Sequence, residues 1–172
     1  MNRPIDIRRI TLMALMAALV WVLTAQARIP IPATNGYIHL GDAGIAFAAC
    51  AFGPWVAMLA GGLGTALADL MGYPQWAVFS LVIHGIQGWA MGQIVRKTVN
   101  AGTVVLSIAG GAFIVVAGYF AVSSVMSGAN VALSEVPLNI LQALGGSIVG
   151  VSLYFAVCRA YPPLRQYGER GR

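Results

Sequence analysis

The sequence predicts an all-α membrane protein, a six-transmembrane-helix bundle with both termini cytoplasmic. Three observations carry this. Of 172 residues, 59% are hydrophobic and only 9% charged, whereas a soluble domain carries about 25% charged residues. Fifteen charged side chains cannot build a water-facing surface on a chain this long, so lipid must supply much of the environment. The apolar residues also fall into six runs broken by turn signals, and the basic residues divide nine to one across those runs.

A bilayer core asks for about 20 apolar residues per helix. The first run, 10–27, follows Arg3, Arg8 and Arg9. Ala25-Gln26-Ala27 resembles a signal-peptidase site, but further membrane segments follow and the run is long enough to cross, so it is read as helix one. Residues 28–38, with Pro30, Pro32, Asn35 and Gly36, read as a loop. Helix two is expected over 39–52 and, after Gly53-Pro54, helix three over 54–71. Gly72-Tyr73-Pro74 is a turn before helix four, 76–95, which ends at Arg96-Lys97. Helix five is expected over 103–126 and helix six over 136–158, separated by the polar stretch 127–135. The chain thus reads as a single integral membrane domain. The runs are too long and too uniformly apolar for barrel strands.

With six helices, Arg3, Arg8, Arg9, Arg96, Lys97, Arg159, Arg165, Arg170 and Arg172 share one side, and Arg28 alone lies on the other. Cytoplasmic loops carry the excess of Lys and Arg, which places both termini inside. The net charge of +5 is read as topology-setting rather than as a nucleic-acid footprint, because no basic stripe exists. Loops 28–38, 72–75 and 127–135 then face outward and carry the polar and aromatic content. Cys50 and Cys158, far apart in apolar surroundings, read as packed thiols.

Small residues let helices approach closely in lipid, and most of the 21 glycines are read that way. Ala14 and Ala18, with Ala17 beside them, give helix one a flat face that suits either the bundle interior or another protein.

Polar side chains within a span need a reason. They are His39, Asp42, Asp69, His84, Gln87, Glu135, Asn139 and Gln142. Glu135, Asn139 and Gln142 share one face of helix six, and Trp76, Ser80, His84 and Gln87 one face of helix four. Two polar faces at one depth can line a small-molecule pocket. Each member also has a plainer role. Asp42 and Glu135 suit helix N-termini, Asp69 suits the interface, His84 suits packing, and Gln87 and Asn139 suit bonds between helices. His39 and Asp42 are too few for a metal site. No nucleophile–base pair, zinc-hydrolase pattern or phosphate loop is present, so no catalytic residue and no cofactor are expected.

Three stretches together carry a family resemblance: Arg28 to Asp42 with its Tyr37-Ile38-His39-Leu40-Gly41-Asp42 end, Ala51-Phe52-Gly53-Pro54, and Gly61 to Leu70 closed by Tyr73-Pro74. The chain resembles the substrate-binding S components of energy-coupling-factor (ECF) vitamin transporters. Pro137-x-Asn139-x-x-Gln142 is similar to the family's start of helix six. The resemblance implies a multi-pass protein of the cytoplasmic membrane that binds a vitamin or precursor from outside. It also implies a transmembrane coupling subunit and two cytoplasmic ATPases as partners, with Ala14 and Ala18 meeting the coupling subunit. It places the ligand among Asn35, Tyr37, Trp76, His84, Gln87, Glu135 and Asn139. With His39 and Gln142 from the polar faces, these form the expected substrate-binding set. Many relatives have Lys-Gly-x-Glu-Gly in helix four, where this chain has His84-Gly85-Ile86-Gln87-Gly88. Neutral-capable groups there favour a neutral aromatic heterocycle such as hydroxymethylpyrimidine, thiamine, pyridoxine or riboflavin. The competing reading is a small channel or facilitator working without an ATPase.

Overall fold

The computed structural model describes residues 7–32 and 36–165. It contains six α-helices among the described residues: α1 (Ile7–Gln26), α2 (Gly41–Phe52), α3 (Pro54–Leu70), α4 (Ala77–Val95), α5 (Ala101–Ser127) and α6 (Ala129–Ala160). Four segments, Ile7–Gln26, Pro74–Val95, Ala101–Ser127 and Ala129–Ala160, are long and apolar enough to cross a membrane. The shorter α2 and α3, at 12 and 17 residues, span roughly 18 and 26 Å at 1.5 Å per residue. They are joined by Gly53 alone, whose φ of 83° is a backbone state open to glycine.

Two differences from the sequence reading follow from local chemistry. Residues 28–38, expected as a loop, include a small antiparallel hairpin of β1 (Ile29–Ile31) and β2 (Gly36–Ile38), with Pro30 opposite Tyr37. Pro30 is tolerated because a two-stranded hairpin leaves edge positions that need no N–H donor. The polar stretch expected over 127–135 is not a loop. Gly128 (φ 92°) makes the whole turn between α5 and α6, and Asn130 and Ser134 sit inside α6. Its first turns are polar because they are exposed, not because they are irregular. Glu135 therefore lies in the second turn of α6, not at its start, and helix-end stabilisation does not account for it.

Glycines set the closeness of the bundle. A Cβ on Gly61 or Gly88 would collide with the backbone carbonyl of His84 or Ala57, so α3 and α4 meet backbone to backbone. Gly64 admits Ala17 and Val20 of α1, and Gly150 admits Ala43 of α2. One apolar core runs through α1–α4 and α6 around Val20, Ile45, Ala57, Met91 and Tyr154. The outer surface is apolar too, with Ile10, Leu15, Val82, Phe113, Leu133 and Ile148 exposed. Water does not favour a continuous exposed apolar belt of this kind, whereas lipid does.

Candidate ligand-binding site

The hairpin end of the bundle encloses a cleft lined by Ile31, Gly36, Tyr37, His39, Asp69, Trp76, Ser80, Tyr119, Glu135, Asn139 and Gln142. The open space, mouth included, is about 410 Å³.

Each wall has a structural reason. Arg28 ties the hairpin down: its Nη2 donates to the carbonyl of Ala68 near the C-terminal end of α3, where a cation is favoured. Its guanidinium sits 4.9 Å from the centre of the Tyr37 ring and 5.8 Å from that of Tyr73. The Tyr37 hydroxyl donates to Asp69 Oδ1. Burial, reinforced by the Asp69 charge, raises the Tyr37 phenol far above its ordinary value, so it remains a neutral donor. On the far wall Ser80 and Tyr119 share a hydrogen bond of 2.7 Å, and Trp76 tilts against Tyr119 at 5.8 Å. Glu135 accepts from Ser123 of α5. Pro137, between Glu135 and Asn139, has no N–H for the preceding turn, but the helix continues through it.

Beneath the floor lies a buried polar layer. The main-chain N–H of His39 donates to Gln142 Oε1 at 3.0 Å, and Gln142 Nε2 donates to Asp42 Oδ2 at 3.0 Å. Gln87 Nε2 donates to Asp42 Oδ1, and Gln87 Oε1 meets His84 Nδ1 at 2.7 Å. Asp42, Gln87 and His84 are fully buried. Asp42 stands in the first turn of α2, so the helix dipole adds to its two amide partners.

His39, Asp42 and His84 each offer an atom within 4.8 Å of the others. Their hydrogen bonds do not fit a metal. Nδ1 of His39 accepts from the Gly41 N–H at 3.0 Å, which puts the proton of its neutral ring on the other nitrogen. Burial, then the nearby His84 and Arg28, holds His39 well below its ordinary pKa, so the ring is neutral. Both Asp42 oxygens already accept amide protons. The trio is part of a hydrogen-bond network.

Of the expected substrate-binding set, the cleft brings together Tyr37, His39, Trp76, Glu135, Asn139 and Gln142. His84 and Gln87 do not line it; they lie one layer below. Asn35 lies outside the described residues. His39 precedes α2 rather than starting it, and Trp76 closes a 3-10 turn, Pro74–Trp76, ahead of α4. Sequence reasoning missed Tyr119, Ile31 and Gly36 as lining residues. It noted Asp69 without placing it in the site, and it put Ser80 on the pocket-facing side of helix four but not in the binding set. Asp69 carried a signal, a carboxylate inside an apolar run. Tyr119 carried none, since a lone tyrosine in an apolar helix is ordinary. On α1, Ala14 and Ala18 are exposed while Ala17 is buried, so Ala17 belongs to the bundle interior and not to the outward face.

Comparisons with known proteins give the family and the fold. The family model for the ECF-type riboflavin transporter S component matches residues 4–159. An uncharacterised protein of Pyrococcus woesei is 41% identical over 145 residues, covering 84% of this chain and 98% of its own length. The thiamine precursor transporter HmpT of Lactococcus lactis subsp. cremoris is 36% identical over 146 residues, 84% of each chain. The crystal structure of the S component for biotin from an ECF-type ABC transporter superposes with a TM-score of 0.60 at 17% identity, over 89% of this chain and 94% of that one. At that identity the likeness is one of fold.

Proposed function

The chain belongs to the ECF-type riboflavin transporter S-component family, a family of transport subunits and not of enzymes, and we propose that it binds a vitamin or vitamin precursor for an ATP-driven ECF importer. In this reading the chain is a multi-pass protein of the cytoplasmic membrane, all six helices cross, and both termini lie inside. The cleft faces outward, and the nine-to-one split of basic residues supports that orientation.

One observation carries the ligand class. The described cleft lining holds two carboxylates, Asp69 and Glu135, and no Lys or Arg. A carboxylate-lined, water-poor cleft repels anions and rewards hydrogen-bond donors and positive charge. Aromatic Trp76, Tyr37 and Tyr119 supply flat apolar faces. The ligand is therefore a neutral or cationic nitrogen heterocycle without phosphate. The likeness to a thiamine precursor transporter favours a pyrimidine over the larger riboflavin.

Energy comes from partners: a transmembrane coupling subunit, docked on the Ala14 and Ala18 face, and two cytoplasmic ATPases. Reconstitution decides this. Vesicles holding the full complex take up ligand with ATP, and vesicles holding this chain alone do not. ATP-independent uptake by the chain alone contradicts the proposal and makes it a facilitator.

A further inference from the structure

Five buried side-chain polar atoms among the described residues have no hydrogen-bond partner within the protein: Thr24 Oγ1, Arg28 Nε, Asp69 Oδ2, His84 Nε2 and Ser147 Oγ. Of these five residues only Asp69 lines the cleft.

Asp69 is the next-to-last residue of α3 (Pro54–Leu70) and is 2% exposed. That is a poor place for a carboxylate. The C-terminal end of a helix disfavours negative charge, and a buried oxygen without a partner forfeits its hydration. Holding the hairpin does not explain the choice of residue. The Tyr37 hydroxyl donates to Oδ1, and a single amide or hydroxyl oxygen would serve that phenol as well. The second oxygen is the part of Asp69 that the fold leaves unused. It belongs to a wall shared with the flat faces of Tyr37, Trp76 and Tyr119. Arg28, whose guanidinium lies 4.9 Å from the centre of the Tyr37 ring, is the cation of this corner and favours the ionised, accepting form of the carboxyl.

On the reading of the cleft as the ligand site, we propose that Asp69 is a specificity-determining residue whose Oδ2 accepts a hydrogen bond from an exocyclic N–H of the heterocycle. Asp69 thereby brings α3 into the site, although no residue expected to bind ligand comes from 54–71. One carboxylate then has two duties. Oδ1 holds the hairpin through Tyr37, and Oδ2 holds the ligand. A buried acceptor left open penalises an analogue that lacks the donor.

The test uses the full chain in nanodiscs and two probes in calorimetry: 4-amino-5-hydroxymethyl-2-methylpyrimidine and the counterpart with a methyl group in place of its amine. The wild type prefers the amino probe by about tenfold or more. Asp69→Asn keeps an oxygen for Tyr37 and brings the two probes to parity. Glu135→Gln and Tyr37→Phe weaken both probes by a common factor and leave the preference standing. Equal affinity of the wild type for the two probes overturns the proposal before any variant is made. Weakening of both probes by one common factor in Asp69→Asn overturns it as well, since that is what a merely structural role produces. Loss of the preference in Glu135→Gln but not in Asp69→Asn overturns it while the cleft stands as the ligand site. A protonated-carboxyl infrared band in the wild type that vanishes in Asp69→Asn overturns it without any ligand, because the acceptor would then be a donor. If the wild type binds neither probe, or if none of the three variants alters binding, the reading of the cleft fails and the proposal falls with it.

Discussion

The cleft and the outward face of α1 are opposites in construction. The cleft is assembled from β1, β2 and α3–α6, and polar groups that shape it are held by residues distant in the chain, as Tyr37 is by Asp69 and Gln142 by His39. The face of α1 is assembled from one helix and is apolar where Ala14, Leu15, Ala18 and Leu19 lie exposed. A recognition site must pre-organise several donors and acceptors at fixed positions. A docking face in lipid needs only small residues that let another helix approach. On the proposed reading, the difference teaches that selecting a ligand and delivering it are carried by separate parts of the chain, and each can be broken without the other.

The largest expected effect is on the docking side. Ala14→Trp with Ala18→Trp abolishes ATP-dependent uptake in vesicles holding the full complex, while ligand affinity of the isolated chain stays within about twofold. A matching fall in affinity would break the separation. Next comes the cleft. Glu135→Ala removes a carboxylate and strands the buried Ser123 hydroxyl. A ligand donor that loses this carboxylate forfeits a charge-assisted hydrogen bond, about 1.5–3 kcal/mol, so ligand affinity by calorimetry falls roughly ten- to a hundredfold. Pull-down of the coupling subunit is unchanged.

A smaller effect belongs to the hairpin. Tyr37→Phe leaves Asp69 without its phenol donor and loosens the wall that Arg28 clamps. Release of ligand, followed by stopped-flow Trp fluorescence, quickens several-fold, because loss of a contact acts mostly on the off-rate.

The smallest effect is one of pH. His39 is neutral when folded, with its pKa below the ordinary 6.5. The unfolded chain therefore takes up a proton near pH 6.5 before the folded chain does. The stability cost is absent above that value and grows as pH falls below it, down to the folded pKa. Thermal unfolding scans show a flat midpoint above about pH 7 and a decline beneath pH 6.5, and His39→Gln flattens the decline.

Much of this division was legible in the residues themselves. The apolar runs announce lipid, and glycine marks the turns at Gly53 and Gly72. The polar spacing on α4 and α6 points to one depth. What was hidden depended on distance or on context. Residues 129–135 look like a loop because hydropathy weighs side chains, whereas one positive-φ glycine is enough to turn the chain. The strands are only three residues each, too short to show alternation. Tyr119 joins the cleft because α5 packs on α4 at Ser80, a long-range fact. His84 and Gln87 sit on the polar face that was expected, but Asp42 draws Gln87 inward, and the pair became the foundation of the cleft rather than its lining.

The central claim is that a carboxylate-lined, aromatic cleft selects a neutral or cationic nitrogen heterocycle. The most direct measurement is the mass spectrum of the ligand that co-purifies with the intact chain, displaced by denaturation. The account predicts an unphosphorylated heterocycle bearing an amino or hydroxyl donor. An anionic or purely aliphatic ligand would contradict it.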